Sequence, residues 1–177
     1  MNTESLRQLI EDSGFDPIGT FDPADLIARS EVREMCAMGK CQAYGHSWSC
    51  PPALGELDIA REKFKSYRHG LLFQTVGETE NSFDWDAMMD AAKQHHQRFD
   101  ELDERLAAHQ SELLLLSAGT CKLCPECSYP DEPCRFPERM HPSMEAMGLI
   151  VADVCKLADV PYNHGPNTIA YTSCVLY

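Results

Sequence analysis

At 177 residues the chain is long enough to bury a core without covalent staples, and 44% hydrophobic with 24% charged residues is an ordinary globular composition. A net charge of −13, from 28 acidic against 15 basic residues, argues against a nucleic-acid-binding surface, which needs a basic stripe for phosphate contacts. No apolar run is longer than Leu113 to Leu116, which is far too short to span a bilayer.

Met1 to Ile10 is polar and acidic, without the basic start or apolar stretch of a secretory signal. The expectation is therefore a single domain over residues 1–177, cytoplasmic and not bound to membrane. Thiols stay reduced in that compartment, and the odd count of nine cysteines also disfavours a disulfide framework. The acidity reads as solubility, or as a surface that meets a basic partner or redox protein.

Leu6, Leu9 and Ile10 make an apolar stripe that predicts a first helix over Glu4 to Ser13, capped by Thr3 and ended by Gly14. Phe15 to Phe21 reads as extended, and Pro23 opens a helical stretch from Ala24 to Met35 that delivers Cys36. Periodicity then disappears from Cys36 to Leu54, where glycine, proline and cysteine dominate. A loop this long in a small protein suggests that it wraps something.

Leu57 to Tyr67 reads as helix and Gly70 to Val76 as a buried strand. After a cap at Ser82, Met88, Ala92, His95, Phe99, Leu102, Leu106 and His109 recur in steps of four and three along one helix. Leu113 to Leu116 is a short central strand, Ser143 to Ala158 a further helix, and Asn167 to Tyr177 a final strand. This order predicts an α/β (α+β) fold: a small mixed β-sheet with packed helices, and two cysteine-rich metal-binding loops at one end of it.

Seven of the nine cysteines fall in those loops. Cys121-x2-Cys124-x2-Cys127 brings three thiolates close together, with Cys134 following beside Pro133. Bacterial ferredoxins hold a [4Fe–4S] cluster with this spacing and a nearby Cys-Pro. Zinc is the rival, because four thiolates also make a closed tetrahedral site, although its usual arrangement is two well-separated Cys-x2-Cys knuckles.

Cys36, Cys41 and Cys50 offer three sulfurs, one short of a closed site. They suit a second cluster with one iron open to water or substrate, or one completed from elsewhere, for instance by Cys134 crossing over. In that case the group around Cys121 would need its own fourth ligand, for which His46 and His141 are candidates although cysteine is the normal choice. The structural alternative is that these three are buried small apolar residues. Cys155 and Cys174, on an apolar helix face and inside a strand, read as core residues, and either one could still be an eighth ligand.

His95 on the core seam and His96 facing outward read as structural. Tyr44 and Trp48 would shield a cluster from water, and Arg135 and Arg139 would neutralise one or simply be solvated. Glu145, just after Ser143, reads as favouring the positive end of its helix. No Ser/His/Asp set, phosphate-cradling loop or dinucleotide fingerprint is present.

The stretch Cys41-Gln-Ala-Tyr44-Gly45-His-Ser-Trp48-Ser-Cys50-Pro51-Pro52 resembles the C-x-x-Y-G-x-x-W-x-C-P-P element of the DUF2284 family of predicted metal-binding proteins. Gly119 to Gly148 resembles that family's second signature, with Cys134-Arg135-Phe136-Pro137-Glu138 and Pro142-Ser143-Met144-Glu145-Ala146. The ending Gly165-Pro166-Asn167-Thr168 matches too. The resemblance implies metal binding, with an iron–sulfur site suspected, through Cys36, Cys41, Cys50, Cys121, Cys124, Cys127 and Cys134; Cys155 and Cys174 fall outside it. The reading is thus an iron–sulfur protein with one or two [4Fe–4S] clusters that passes electrons to a redox partner protein. The alternatives are an enzyme or activator using an open-site cluster at Cys36, Cys41 and Cys50, and a zinc-stabilised interaction module.

Overall fold

A strand buried on one face alternates apolar with polar residues, whereas a strand buried on both faces has no reason to. Leu71-Leu72-Phe73 and Leu114-Leu115-Leu116 do not alternate. The computed structural model, which describes residues 2–39 and 41–177, gives the reason. Strands β1 (Ile18–Phe21), β2 (Gly70–Glu78), β3 (Leu114–Leu116) and β4 (Thr168–Leu176) form one sheet in the order β1-β2-β4-β3. Helices α1 (Thr3–Asp12), α2 (Ser30–Ala37), α3 (Leu57–Lys65), α4 (Trp85–Leu106) and α5 (Val151–Leu157) surround it.

Leu71, Phe73, Leu115 and Val175 pack with Leu6 and Ile10 of α1 and with Phe99, Leu102 and Leu106 of α4. Leu72, Leu116, Cys174 and Leu176 join Phe64 of α3 and Val154 and Cys155 of α5 in a second apolar cluster. Each fully buried Leu or Phe contributes about 1.5–3 kcal/mol, so these two clusters dominate the energetics of the fold. Cys155 and Cys174 are both 0% exposed within the second cluster, in agreement with their reading as core residues.

The α+β arrangement of helices on a small sheet is the one observed. A mixed sheet is the expectation from sequence, but all three strand pairs are antiparallel, with Leu72 opposite Gly19 and Cys174, and Leu116 also opposite Cys174. Parallel pairing is confined to the isolated bridges Asp16↔Thr75 and Ser117↔Ser143. Near-continuous apolar strands are the usual mark of parallel sheets. Here they arise because helices cover both sides of an antiparallel one.

Most helices lie close to their expected positions, with shifted ends. Asn2, not Thr3, caps α1 by accepting from the Ser5 N–H at 2.8 Å, and Asp84, not Ser82, caps α4. Ala24 to Met35 is not one helix: a 3-10 turn at Pro23–Asp25 gives way to extended backbone, and α2 begins at Ser30 and carries Cys36 in its last turn.

The largest departure is Ser143 to Ala158, which is helical only from Val151. Gly148, at φ +81°, closes a single turn: its N–H donates to Glu145 O at 2.9 Å, and Leu149 N–H donates to Met144 O at 2.9 Å. That pair of bonds is a helix-terminating motif whose left-handed residue favours glycine. Met144 and Met147 are still buried, so the apolar spacing marks burial here and not a continuous helix. Glu145 consequently stands exposed on a tight turn, not in the first turn of a long helix.

His95 is fully buried, with Nδ1 3.1 Å from Thr75 Oγ1 and Nε2 2.8 Å from Ser173 Oγ, which fixes α4 against the centre of the sheet. Burial first, then the neighbouring His96 and Arg98, lowers its pKa from 6.5 to about 3. Between those values the unfolded chain binds a proton that the folded chain does not. Stability therefore falls as pH drops from 6.5 towards 3, by about 1.4 kcal/mol per pH unit at most. The expected outcome is that the urea midpoint falls more steeply across this range in the unsubstituted chain than in His95→Gln; parallel curves would show that His95 is not the linked group.

Candidate metal centre

At the sheet edge, β3 runs directly into the second cysteine loop, and one serine holds both ends of that loop. Ser117 N–H donates to Pro142 O at 2.9 Å, and the Ser117 hydroxyl donates to Gly119 O at 2.9 Å and His141 O at 3.4 Å. The returning segment is also tied to α4. Asp103, 3% exposed at its side chain, accepts from Arg139 Nε at 3.2 Å and lies 2.8 Å from His141 Nε2. Exposed pairs such as Arg61–Asp58 contribute about 0–1 kcal/mol, whereas the bonds to buried Asp103 belong to the stronger class of about 1.5–3 kcal/mol.

Within this frame Cys121, Cys124, Cys127 and Cys134 line one cleft. Cys134 thus stands with its own group and does not cross to the first. Trp48 reaches in from the first loop to line the same cleft; its Nε1 donates to Glu132 O at 3.0 Å and its ring meets the Tyr129 ring edge-on at 4.9 Å. The shielding role expected of Trp48 therefore falls on the second group. Met140, Phe136 and Leu123 supply apolar wall.

The four thiols differ electrostatically. Burial pushes the Cys121 thiol up, against a hydrogen bond from the Leu123 N–H, and neighbouring Cys134, Cys124 and Cys127 push it further. Burial alone would also raise Cys127. The Tyr129 and Trp48 N–H groups, the Ser47 hydroxyl and the Arg135 charge outweigh it and hold that thiol below its ordinary value. Arg135 therefore does lie where it offsets thiolate charge, whereas Arg139 is occupied by Asp103 and Glu104.

The first group lies alongside. Cys36 is half-buried at the end of α2, Cys41 is exposed, and Cys50 is 7% exposed. Lys40, within the same loop, lies outside the described residues. Burial raises the Cys36 thiol, and Cys41, Cys50 and Glu145 raise it further, against a lowering by Arg33. These three thiols therefore also lie within electrostatic reach of one another.

A buried chain of hydroxyls joins the two groups. The Cys50 thiol donates to Thr120 Oγ1 at 3.4 Å, Thr120 Oγ1 lies 3.1 Å from Ser49 Oγ, and Ser49 Oγ lies 3.0 Å from Ser47 Oγ. Ser49 Oγ also accepts the Cys121 N–H at 3.0 Å, and Ser47 reaches Cys127. Nothing in the sequence spacing points to Ser47, Ser49 and Thr120 as a unit, because 71 residues separate Ser49 from Thr120. The signal available is that each stands next to, or between, motif residues.

The histidines considered as extra ligands stand elsewhere. His141 is bonded to Asp103, and His46 is exposed, its N–H donating to Ala43 O at 3.1 Å. Among the described residues, no three His, Cys, Asp or Glu side chains converge as the shell of a single metal ion. The chemistry of the donor set nevertheless fits a thiophilic metal group. Thiolates this close together repel one another, and a bound cationic centre relieves that repulsion.

The comparisons agree at that level. The pattern of a family described as "Predicted metal-binding protein (DUF2284)" matches residues 19–177. No curated protein and no solved structure matches the chain.

Ser49→Ala would leave the Cys121 N–H without its buried partner. The expected cost is about 1–3 kcal/mol in denaturant unfolding of the metal-free chain, with faster amide exchange at Cys121. An unchanged midpoint and unchanged exchange would show that the hydroxyl chain does not hold the two loops together.

Proposed function

The chain belongs to the DUF2284 family of predicted metal-binding proteins, and from that premise we propose that it is an iron–sulfur protein that carries electrons to a redox partner. In this reading Cys121, Cys124, Cys127 and Cys134 hold a [4Fe–4S] cluster as a closed four-thiolate site, and Cys36, Cys41 and Cys50 hold a second. A cluster supplies one-electron storage at a potential set by its thiolates, the hydrogen bonds to them and solvent access.

One observation carries the choice of cluster over zinc: the four thiols ring a cleft instead of meeting at a point. Tetrahedral zinc with bonds of about 2.3 Å draws its sulfurs to within about 3.8 Å of one another, whereas a cubane keeps its ligands further apart. The chain's own groups suit the charge of such a site. The Tyr129 and Trp48 N–H groups, the Ser47 hydroxyl and Arg135 all stabilise negative charge on the Cys127 sulfur. Trp48, Phe136 and Met140 supply apolar wall to the same cleft. A cytoplasmic location suits thiols that must stay reduced.

A second reading has its own observation. A cavity of about 400 Å³ is lined by Ala92 and His96 of α4, Tyr171 and Thr172 of β4, and Lys122 and Glu145 from the neighbouring loops. That is room for a small substrate beside an incompletely ligated cluster, as in an enzyme or activator.

Anaerobic purification followed by iron, zinc and acid-labile sulfide analysis tests the proposal. The expected outcome is a brown protein with about eight iron and eight sulfide per chain, or about four of each if one site fills. Cys124→Ser should remove about half of a two-cluster content. Colourless protein with stoichiometric zinc and no sulfide would overturn the cluster reading and leave the zinc-stabilised interaction module.

A further inference from the structure

We propose that Glu145 is the fourth donor of the first centre, so that Cys36, Cys41 and Cys50 hold three corners of a cluster and the Glu145 carboxylate takes the remaining iron. This rests on the iron–sulfur reading above and assigns the position that the cysteine count leaves open.

Three observations converge on the residue. First, Arg33, one turn before Cys36 on α2, donates through Nε to Ala146 O at 2.9 Å, so the helix bearing Cys36 is fastened to the backbone adjacent to Glu145. Second, Glu145 lines the 400 Å³ cavity together with Ala118, Gly119 and Lys122, and Cys50 bonds to the next residue of that segment, Thr120. The backbone next to Glu145 is thus tied to the helix that carries Cys36, and its side chain shares a cavity with the segment to which Cys50 bonds. Third, its carboxylate is exposed and accepts no hydrogen bond or ion pair among the described residues, which leaves both oxygens available to a ligand. The Gly148 motif fixes this placement, because a continuous helix through 143–158 would run Glu145 along α5's axis instead of ending the turn there.

A carboxylate is also a chemically distinct fourth ligand. Thiolates are soft and iron–sulfur clusters hold them firmly, whereas an oxygen donor on one iron is more readily exchanged. Glu145 and Lys122 line the same cavity, which leaves room beside the carboxylate for a small anionic or oxygen-donor molecule drawn by Lys122.

The test uses the full chain loaded anaerobically with ferrous iron and sulfide, comparing it with Glu145→Ala, Glu145→Gln and Glu145→Cys. If Glu145 is a ligand, the Ala and Gln variants lose about one iron per chain and gain the oxidised-state electron paramagnetic resonance signal of a three-iron cluster, while Glu145→Cys keeps the full iron content. Sulfide content and far-ultraviolet circular dichroism stay unchanged in all three, as expected for a substitution at an exposed turn. Ala and Gln variants with the same iron content and spectrum as the unsubstituted chain would overturn the assignment while leaving the iron–sulfur reading intact. An unsubstituted chain that loads no cluster would overturn both, and the two failures are thereby told apart.

Discussion

Ser49 is completely buried, yet its hydroxyl serves neither helix nor strand. It sits where two irregular loops meet, accepts the Cys121 N–H, and lies within hydrogen-bond distance of both Ser47 and Thr120. Cys50 and Cys121, the points where the two candidate ligand groups meet, are set by that junction. Irregular backbone cannot satisfy its own polar groups as a helix or sheet does, so a buried loop–loop contact must find partners elsewhere. Three small hydroxyls do this without bulk, which lets Cys50 and Cys121 approach the same point from loops far apart in sequence. Apolar contacts could not replace them, because they would leave the Cys121 amide unpaired at a cost of about 1–3 kcal/mol.

The sheet and helices supply what the loops lack. Stabilisation from the two apolar clusters is large and non-directional, so it determines that the chain folds but not where a sulfur stands. Direction comes from a few polar ties to rigid elements. Ser117 pins both ends of the second loop to the edge strand β3, and Asp103 holds Arg139 and His141 against α4. Arg33 and Gly55 tie α2 and the end of the first loop together. Each cysteine loop thus hangs from well-packed elements at both ends, which is how irregular segments keep side chains in fixed relation.

Which of these features the sequence reveals follows from their range. Periodicity is local, so the α4 seam from Met88 to Leu106 and the strand Leu114–Leu116 are legible as elements with buried faces. The cysteine spacings are local as well, and they single out both groups. Strand direction is not local: Leu71-Leu72-Phe73 reads the same in parallel and antiparallel sheets when both faces are covered. The end of the turn at Gly148 is hidden because Met144, Met147, Val151 and Val154 keep helical spacing across a break that only a left-handed glycine reveals. The Ser47–Ser49–Thr120 junction, the Asp103 ties and the setting of Glu145 are all long-range contacts, and the one local hint is that the three hydroxyl residues stand next to, or between, motif residues.

The two thiol groups are consequently unlike in kind. Cys121, Cys124, Cys127 and Cys134 form a complete thiol set, walled by Trp48, Phe136 and Met140 and supplied with N–H donors and a nearby arginine. Such surroundings hold a centre in one state of ligation and adjust its potential, which suits a carrier. Cys36, Cys41 and Cys50 are three thiols of graded exposure, and the Glu145 carboxylate proposed to complete them has no partner among the described residues and lines a cavity. That arrangement suits a centre whose ligation changes. The Thr120 and Ser49 hydroxyls link Cys50 directly to the Cys121 backbone, so the two groups share a boundary only a few bonds long. In the proposed reading, a closed centre set beside an exchangeable one would give a chain of this size a route to deliver electrons to a bound small molecule within itself. Carrier and catalyst would then describe two halves of one molecule.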